Sequence, residues 1–281
     1  MSKEVLLNGH FVPYEQAAVA IDDRGFQFAE SVYEVIRVYH GKPFEMERHM
    51  RRLRGSIAAV DLNAGSALDQ LEGQALELLQ RSGLQEASIY LQVTSGAAPR
   101  EHLRPQGLTP TVIAIVNPAS PPADRLRQPG LTAITVPDER WAKCYVKTTM
   151  LLPNTAAKKR AVAAGCDDAI FVRDGFVMEG TASNLFAVFD GVLTTSPASN
   201  YILHGVTRSV VLDLARELGM PHSESPIPLP KLYDAQELFL TGTVSELTPI
   251  ARVDGKLIGD GRPGPVLARM YEAFQSRIAA L

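Results

Sequence analysis

The sequence predicts a mixed α+β fold, with largely antiparallel sheets and packed helices, on three observations. Four turn pairs, Asn8-Gly9, Asp174-Gly175, Asp190-Gly191 and Asp254-Gly255, stand between short apolar runs. Such pairs accept the positive φ angles of two-residue hairpins, which join antiparallel strands. Apolar residues recur at helical spacing in Met46, Met50, Leu53, Ile57 and Val60, and again in Leu267, Met270, Phe274 and Ile278. That is the pattern of amphipathic helices lying on a core. Strand-like and helical segments also mix without a regular βαβ alternation, so the sheet is not simply parallel.

Further helical candidates are 67–82, about 152–165 and about 207–218. "ASIYLQVTSG", "PTVIAIVNP", "DDAIFV", "NLFAVF" and "AQELFLTG" read as strands, and "WAKCYVK", ending at Lys147, alternates like one. Composition shifts once, at "NPASPPADRLRQPG", residues 117–130, where four prolines and a glycine break both periods. Two domains follow: residues 1–118, a linker at 119–130, and residues 131–281.

The chain of 281 residues is 46% hydrophobic and 21% charged with a net charge of −3, the make-up of a soluble globular protein. It offers no field for nucleic acid or anionic lipid, so neither is an expected partner. No basic stretch leads into an apolar leader and no apolar run approaches a bilayer span, so a cytoplasmic protein is expected. Cys144 and Cys166 are too few for a disulfide framework and form no CxxC; the six histidines show no helical pair spacing, so no metal site is expected. "GDGRPG", residues 259–264, matches GxGxxG, but only 17 residues follow it, too few to complete a dinucleotide unit. A turn before the last helix is expected there. Neither a GxSxG elbow nor a Walker A loop is present.

Other residues are candidates for chemistry. Lys147 has no acidic neighbour along the chain and sits beside two threonines and an apolar stretch; Lys143 shares its strand parity, and the residues alone leave the two open. Glu179 lies at the mouth of the strand from Leu185 to Phe189, where a carboxylate is either a solvated loop residue or needs a partner. "YILHGVTRSVVLDLARELG" places Leu203, Gly205, Val206 and Thr207 at a helix start, which is a plain threonine cap or an anion site. Thr241-Gly242-Thr243 ends another strand where glycine admits close backbone approach, and "ERHMRRLRGS" offers Arg51, Arg52 and Arg54, one of which could reach inward.

A lysine, a carboxylate and several anion donors are the set that pyridoxal phosphate requires. The pieces "DRGFQFAESVYEVIRVYHGKPFEMERHMRRL", "KTTMLLPN", "EGTASNLFAV", "ILHGVTR" and "TGTVSELTPI" resemble those of the class IV aminotransferases, enzymes of the fold-type IV architecture, in order along most of the chain. The resemblance implies that Lys147, in the C-terminal domain, binds pyridoxal 5′-phosphate covalently and moves the substrate's Cα proton. It implies that Glu179 pairs with the pyridine nitrogen, that Leu203 packs under the ring, and that Arg52, Val206, Thr207 and Thr243 hold the phosphate. It also implies a homodimer.

Within that family, "YLQVTSGAAPREHLRP" is similar to the D-amino-acid aminotransferase version, in which an arginine and a histidine spaced as Arg100 and His102 trap a carboxylate together with a tyrosine matching Tyr33. On residues alone the same loop is an exposed basic one. The implied reaction is transamination between a D-amino acid such as D-alanine and a 2-oxo acid such as 2-oxoglutarate. The alternatives are an L-branched-chain aminotransferase and an aminodeoxychorismate lyase. "FAESVYEV" departs from the pattern, with Glu30 and Ser31 where many relatives carry Asp-Gly or Gly-Asp-Gly forms.

Overall fold

The computed structural model describes residues 3–120, 126 and 129–281, so most of the expected linker lies outside the described residues. The chain forms two compact units, Met1–Pro121 with Val146–Met150, and Pro122–Tyr145 with Leu151–Leu281.

In the first unit, β1 (Glu4–Leu7) and β2 (His10–Pro13) are followed by the short α1 (Arg24–Phe28), β3 (Ser31–Tyr39), β4 (Lys42–Pro43), α2 (Met46–Ala59), α3 (Ala67–Ser82), β5 (Ala87–Thr94) and β6 (Val112–Pro118). The strands make a six-stranded sheet in the order β2-β1-β6-β5-β3-β4, antiparallel at every pairing. Alternation sends Val32, Ile36, Ile89, Leu91, Val93 and Ala114 into the core, where Met50 and Leu53 of α2 and Leu71, Ala75 and Leu78 of α3 are also buried.

The second unit holds β7 (Leu131–Pro137), α4 (Leu152–Ala163), β8 (Asp168–Arg173), β9 (Phe176–Gly180), β10 (Asn184–Phe189), β11 (Val192–Thr195), α5 (Val206–Glu217), β12 (His222–Glu224), β13 (Ile227–Pro228), α6 (Leu229–Leu232), β14 (Glu237–Gly242), β15 (Glu246–Val253), β16 (Lys256–Leu257) and α7 (Pro265–Ala279). Its ten-stranded sheet runs β12-β11-β10-β14-β15-β7-β8-β9-β13, with β16 on β15. A further pairing of β10 with β9, Asn184 opposite Glu179, joins the sheet back on itself and makes a six-stranded barrel of β10, β14, β15, β7, β8 and β9. Leu185, Ala187, Leu238, Leu240, Ile170 and Val177 fill its core cluster. Parallel pairs occur at β11–β12, β15–β7 and β7–β8, so the α+β expectation holds with a mixed second sheet.

All four expected turn pairs take left-handed backbone at both residues; Asn8 and Gly9 have φ of 50° and 84°. The "GDGRPG" stretch is a turn, and α7 behind it is capped by the Glu237 carboxylate, which accepts from the N–H groups of Val266 (2.9 Å) and Leu267 (2.7 Å).

Two expectations need correction. Residues 141–147 do not form a strand; among 141–150 only Thr148 makes a bridge, to Val32. The lysine also does not travel with the C-terminal residues. Backbone bonds from Tyr33 N to the Lys147 carbonyl (3.0 Å) and from Thr149 N to the Ser31 carbonyl (3.1 Å) place 146–150 in the first unit, against β3. A local proline count marks where composition changes, whereas a single crossing strip is held by contacts distant in sequence.

Candidate active site

Lys143 is exposed, whereas Lys147 is half-buried with its Nζ 4.2 Å from the Tyr33 ring centroid. Burial therefore separates two lysines that strand parity leaves equivalent. The Lys147 N–H donates to Ser56 Oγ (3.1 Å), which ties the strip to α2. Tyr33 stacks on Tyr90 at 5.7 Å, and burial pushes both phenols up, Tyr90 to about 12. Tyr90 Oη donates to Gln92 Oε1 (2.9 Å), and Gln92 Nε2 donates to Ser31 Oγ (2.8 Å), so Ser31 has a defined place in this wall.

Below it is a charge cluster that sequence reading missed. Glu34 is fully buried and accepts from Arg52 Nε (2.7 Å) and Nη2 (2.8 Å) in a fork, and it contacts His49 Nδ1 at 2.8 Å. Burial raises the Glu34 carboxyl, but Arg52 and His49 outweigh it and hold the group at about 2. The signal was in the strand: Val32, Glu34, Ile36 and Val38 share one parity, and a carboxylate in the core phase of such a strand must have a partner. Of the three arginines, Arg52 is the one that turns inward; Arg51 stays exposed on Glu47.

In the second unit, Glu179 lies where the barrel closes. Arg140 Nη1 donates to its Oε1, Asn184 Nδ2 to its Oε2 (2.8 Å), and the Leu203 N–H to both oxygens at 3.0 and 3.2 Å. Burial pushes Glu179 up to about 7, against the opposing pull of Arg140. Arg140 is itself divided, since Nε and Nη2 bond Asp138 at 2.8 and 3.0 Å. Three donors serve Glu179, the Leu203 N–H being shared between both oxygens, while two carboxylate oxygens offer about four lone-pair positions, so the arrangement leaves room for one further, cationic N–H. Neither Arg140 nor Asn184 stands out in sequence, because each acts through a partner far along the chain.

Asn184 Nδ2 also donates to the Leu203 carbonyl (2.8 Å), which accepts the Gly205 N–H (2.9 Å), so the carboxylate connects directly to the start of α5. Gly205 is the N-cap and has no side chain to accept the first-turn N–H groups; a Cβ there would collide with Asn184 Oδ1. Val206 and Thr207 open the helix and are buried. Ser183 and Thr241 carry buried hydroxyl oxygens with no hydrogen-bond partner among the described residues. Gly242 brings the loop holding Thr243 against Ser183: a Cβ on it would lie 3.8 Å from Ser183 Cβ. An uncapped helix start, two orphaned hydroxyls and a buried carboxylate lined by donors fit a group with a phosphate at one end and a protonated ring nitrogen at the other.

The remaining candidates surround Phe28. Arg100 lies over its ring at 5.1 Å from the centroid and His102 meets it edge-on at 6.0 Å; both side chains are exposed. The structure therefore brings Lys147 to Tyr33, Glu179 to Leu203, and both Arg100 and His102 to Phe28.

The family profile "Amino-transferase class IV" matches residues 31–253. The chain belongs to that family. Class IV aminotransferases use pyridoxal 5′-phosphate and act on amino acids and 2-oxo acids. This member is 39% identical to a D-alanine aminotransferase of Bacillus licheniformis over 98% of its own length and 97% of the relative's, and 36% identical to one of Staphylococcus haemolyticus over 98% of both. Its fold is that of a branched-chain amino acid aminotransferase of Escherichia coli, with a TM-score of 0.91 at 28% identity, covering 98% of this chain and 94% of that one. A further branched-chain amino acid aminotransferase, solved with pyridoxamine 5′-phosphate, matches with a TM-score of 0.92 at 28% identity over 100% of this chain and 95% of that one. Among the described residues, no helix of this aminotransferase is long and apolar enough to cross a membrane.

Proposed function

We propose that this aminotransferase exchanges the amino group between a D-amino acid such as D-alanine and a 2-oxo acid such as 2-oxoglutarate. The observation that carries the reading is the placement of both Arg100 and His102 against Phe28 with their side chains exposed, two donors able to take an α-carboxylate by charge-assisted hydrogen bonds. The higher identity to the D-alanine aminotransferases than to the branched-chain fold relatives supports it.

Pyridoxal phosphate, when bound, supplies an aldehyde for the amine and a ring that takes up the electron pair left at Cα. Lys147 would hold it covalently, Glu179 would accept from its ring nitrogen, Leu203 would pack beneath the ring, and Val206, Thr207, Thr243 and Arg52 would take the phosphate. Lys147 Nζ, freed by the incoming amine, accepts the proton leaving Cα. Glu179, fixed by Arg140, Asn184 and the Leu203 N–H, keeps a proton on the ring nitrogen, which is the electrostatic condition for charge to leave Cα. Tyr33, Arg100 and His102 orient the α-carboxylate and so decide which hydrogen faces Lys147. The protein would work as a homodimer, since Ile21 (79% exposed), Phe26 (80%) and Leu103 (83%) present large apolar side chains from segments that Arg24 ties together.

The test is formation of the 2-oxo acid from D-alanine and from L-leucine by wild type and Lys147→Ala, beside sedimentation of the purified protein. Turnover of D-alanine alone, lost in the variant, is expected. Turnover of L-leucine alone would replace this reading with the branched-chain one. Near wild-type turnover by Lys147→Ala would remove the lysine from the chemistry, and a monomer at assay concentration would remove the homodimer.

A further inference from the structure

We infer that Arg24 and Glu30 form a positioning pair that fixes the backbone beneath Arg100 and His102, and so sets affinity for the substrate carboxylate. The inference rests on the reading of Arg100 and His102 given above.

Arg24 is among the largest fully buried side chains of the protein, at 0% exposure. A guanidinium in such a place must direct its donors to acceptors, and the acceptors it has chosen are informative. Its Nε (2.8 Å) and Nη2 (2.7 Å) make a planar fork on the two oxygens of Glu30. Its Nη1 donates to the Glu101 carbonyl at 2.7 Å, and Nη2 also reaches the His102 carbonyl at 3.4 Å. Its flat face lies over Phe28 at 4.5 Å, while Arg100 lies 5.1 Å from the same ring. One buried side chain therefore touches the backbone of the segment carrying both proposed carboxylate ligands and the ring against which they rest.

The pair is itself well anchored. Arg24 N donates to the Gly96 carbonyl (2.9 Å), Ser95 N donates to the Glu30 carbonyl (3.1 Å), and Ala98 N donates to the Asp22 carbonyl (3.2 Å). Asp23 caps α1 through the Gly25 N–H (2.7 Å) and accepts from the Thr94 and Thr111 hydroxyls at 2.9 and 2.6 Å. Arg100 and His102 are exposed and long, so ordering them at the moment of binding would cost side-chain entropy; a loop whose carbonyls are already held reduces that cost. Only arginine carries a fork and further donors in one plane, so a fork to Glu30 leaves Nη1 aimed at Glu101.

Arg24→Lys keeps the charge but cannot span Glu30 and the carbonyls together; Glu30→Asp keeps the fork's chemistry but shortens its reach. Both are made in the full-length holoenzyme beside Arg100→Ala, with D-alanine kinetics and inhibition by propionate, which has a carboxylate and no amine. For Arg24→Lys the KM for D-alanine and the propionate inhibition constant should rise together by about tenfold with kcat within about twofold, and for Glu30→Asp by about threefold in the same sense. A fall in kcat with KM and propionate inhibition unchanged, in whichever of the two variants folds, would assign the pair a structural role only and overturn the inference. If Arg100→Ala raises KM while neither pair variant does, the positioning role fails and the ligand assignment stands. If Arg100→Ala leaves KM unchanged, the ligand assignment itself is wrong, and the positioning role falls with it.

Discussion

Glu34 and Glu179 are both glutamates buried in the core phase of a strand, yet one is held at about 2 and the other is pushed to about 7. Desolvation raises both; what differs is how completely the neighbours answer it. Glu34 receives two donors of Arg52 in a fork and has His49 beside it. Glu179 shares Arg140 with Asp138, whose own charge works against it, and otherwise receives only an amide and a backbone N–H. The first carboxylate is satisfied by the protein alone, as a structural group should be. The second is left short of one positive partner, and a protonated ring nitrogen would supply it.

The largest expected effect tests that shortfall directly. Glu179→Gln keeps the shape and removes the charge, so under the proposed function the ring nitrogen would lose the partner that keeps it protonated. We expect kcat for D-alanine to fall by about 10³, on the order of 4 kcal/mol, a size typical of removing a charge-stabilising group. Steady-state kinetics at saturating cofactor would check it; a loss below tenfold would place Glu179 with Glu34 among structural carboxylates.

Stability should reverse the ranking. In cofactor-free protein at pH 8, Glu34→Gln leaves Arg52 without its fork partner and should cost about 3 kcal/mol. Glu179→Gln removes a buried charge that the protein only partly compensates, and should be neutral within about 1 kcal/mol or stabilising. Urea unfolding of the two apoproteins decides it, and equal losses would break the comparison.

These two glutamates also mark what could be read from the sequence. The hairpins, the helices at 46–59 and 67–82 and the strands around Leu91 and Leu240 were legible because local chemistry and period determine them. Lys147 and Glu179 were legible as candidates, but composition could not separate Lys143 from Lys147, because what distinguishes them is burial of Lys147 against Tyr33 from β3. Arg140, Asn184 and Arg24 act through partners many residues away, and no spacing rule announces such pairs. Glu34 alone was overlooked despite a visible sign, its parity with Val32 and Ile36.

The pH dependence of apoprotein stability sharpens the contrast in sign. Glu34 is lowered from 4.5 to about 2, so its contribution is present above pH 4.5 and is lost as pH falls toward 2. Glu179 is raised from 4.5 to about 7, so its neutral form favours the folded state below pH 4.5, and that contribution is lost as pH rises through 7. Each is worth roughly 3 kcal/mol at most. Wild type minus Glu179→Gln should therefore decline between pH 4.5 and 7.5, while wild type minus Glu34→Gln stays level there and declines only in acid. Parallel curves would mean that the two environments do not differ.

The smallest effect belongs to His49, and it tests whether the satisfied cluster depends on charge or on hydrogen bonding. Burial lowers the imidazole, with Glu34 opposing and Arg52 and Lys147 assisting. A neutral ring can still donate Nδ1–H to the Glu34 carboxylate at 2.8 Å, so the cluster needs its proton donor but not a second cation. As pH falls through the unfolded value of 6.5, the unfolded chain takes up a proton that the folded chain refuses, and stability declines. His49→Gln keeps a donor and removes the titration: it should change stability at pH 8 by no more than about 1 kcal/mol and flatten the profile just below pH 6.5. Thermal unfolding of the apoprotein from pH 5.5 to 8 would show it. A large loss at pH 8 would mean that the ring is charged when folded, and that Glu34 is answered by two cations rather than one.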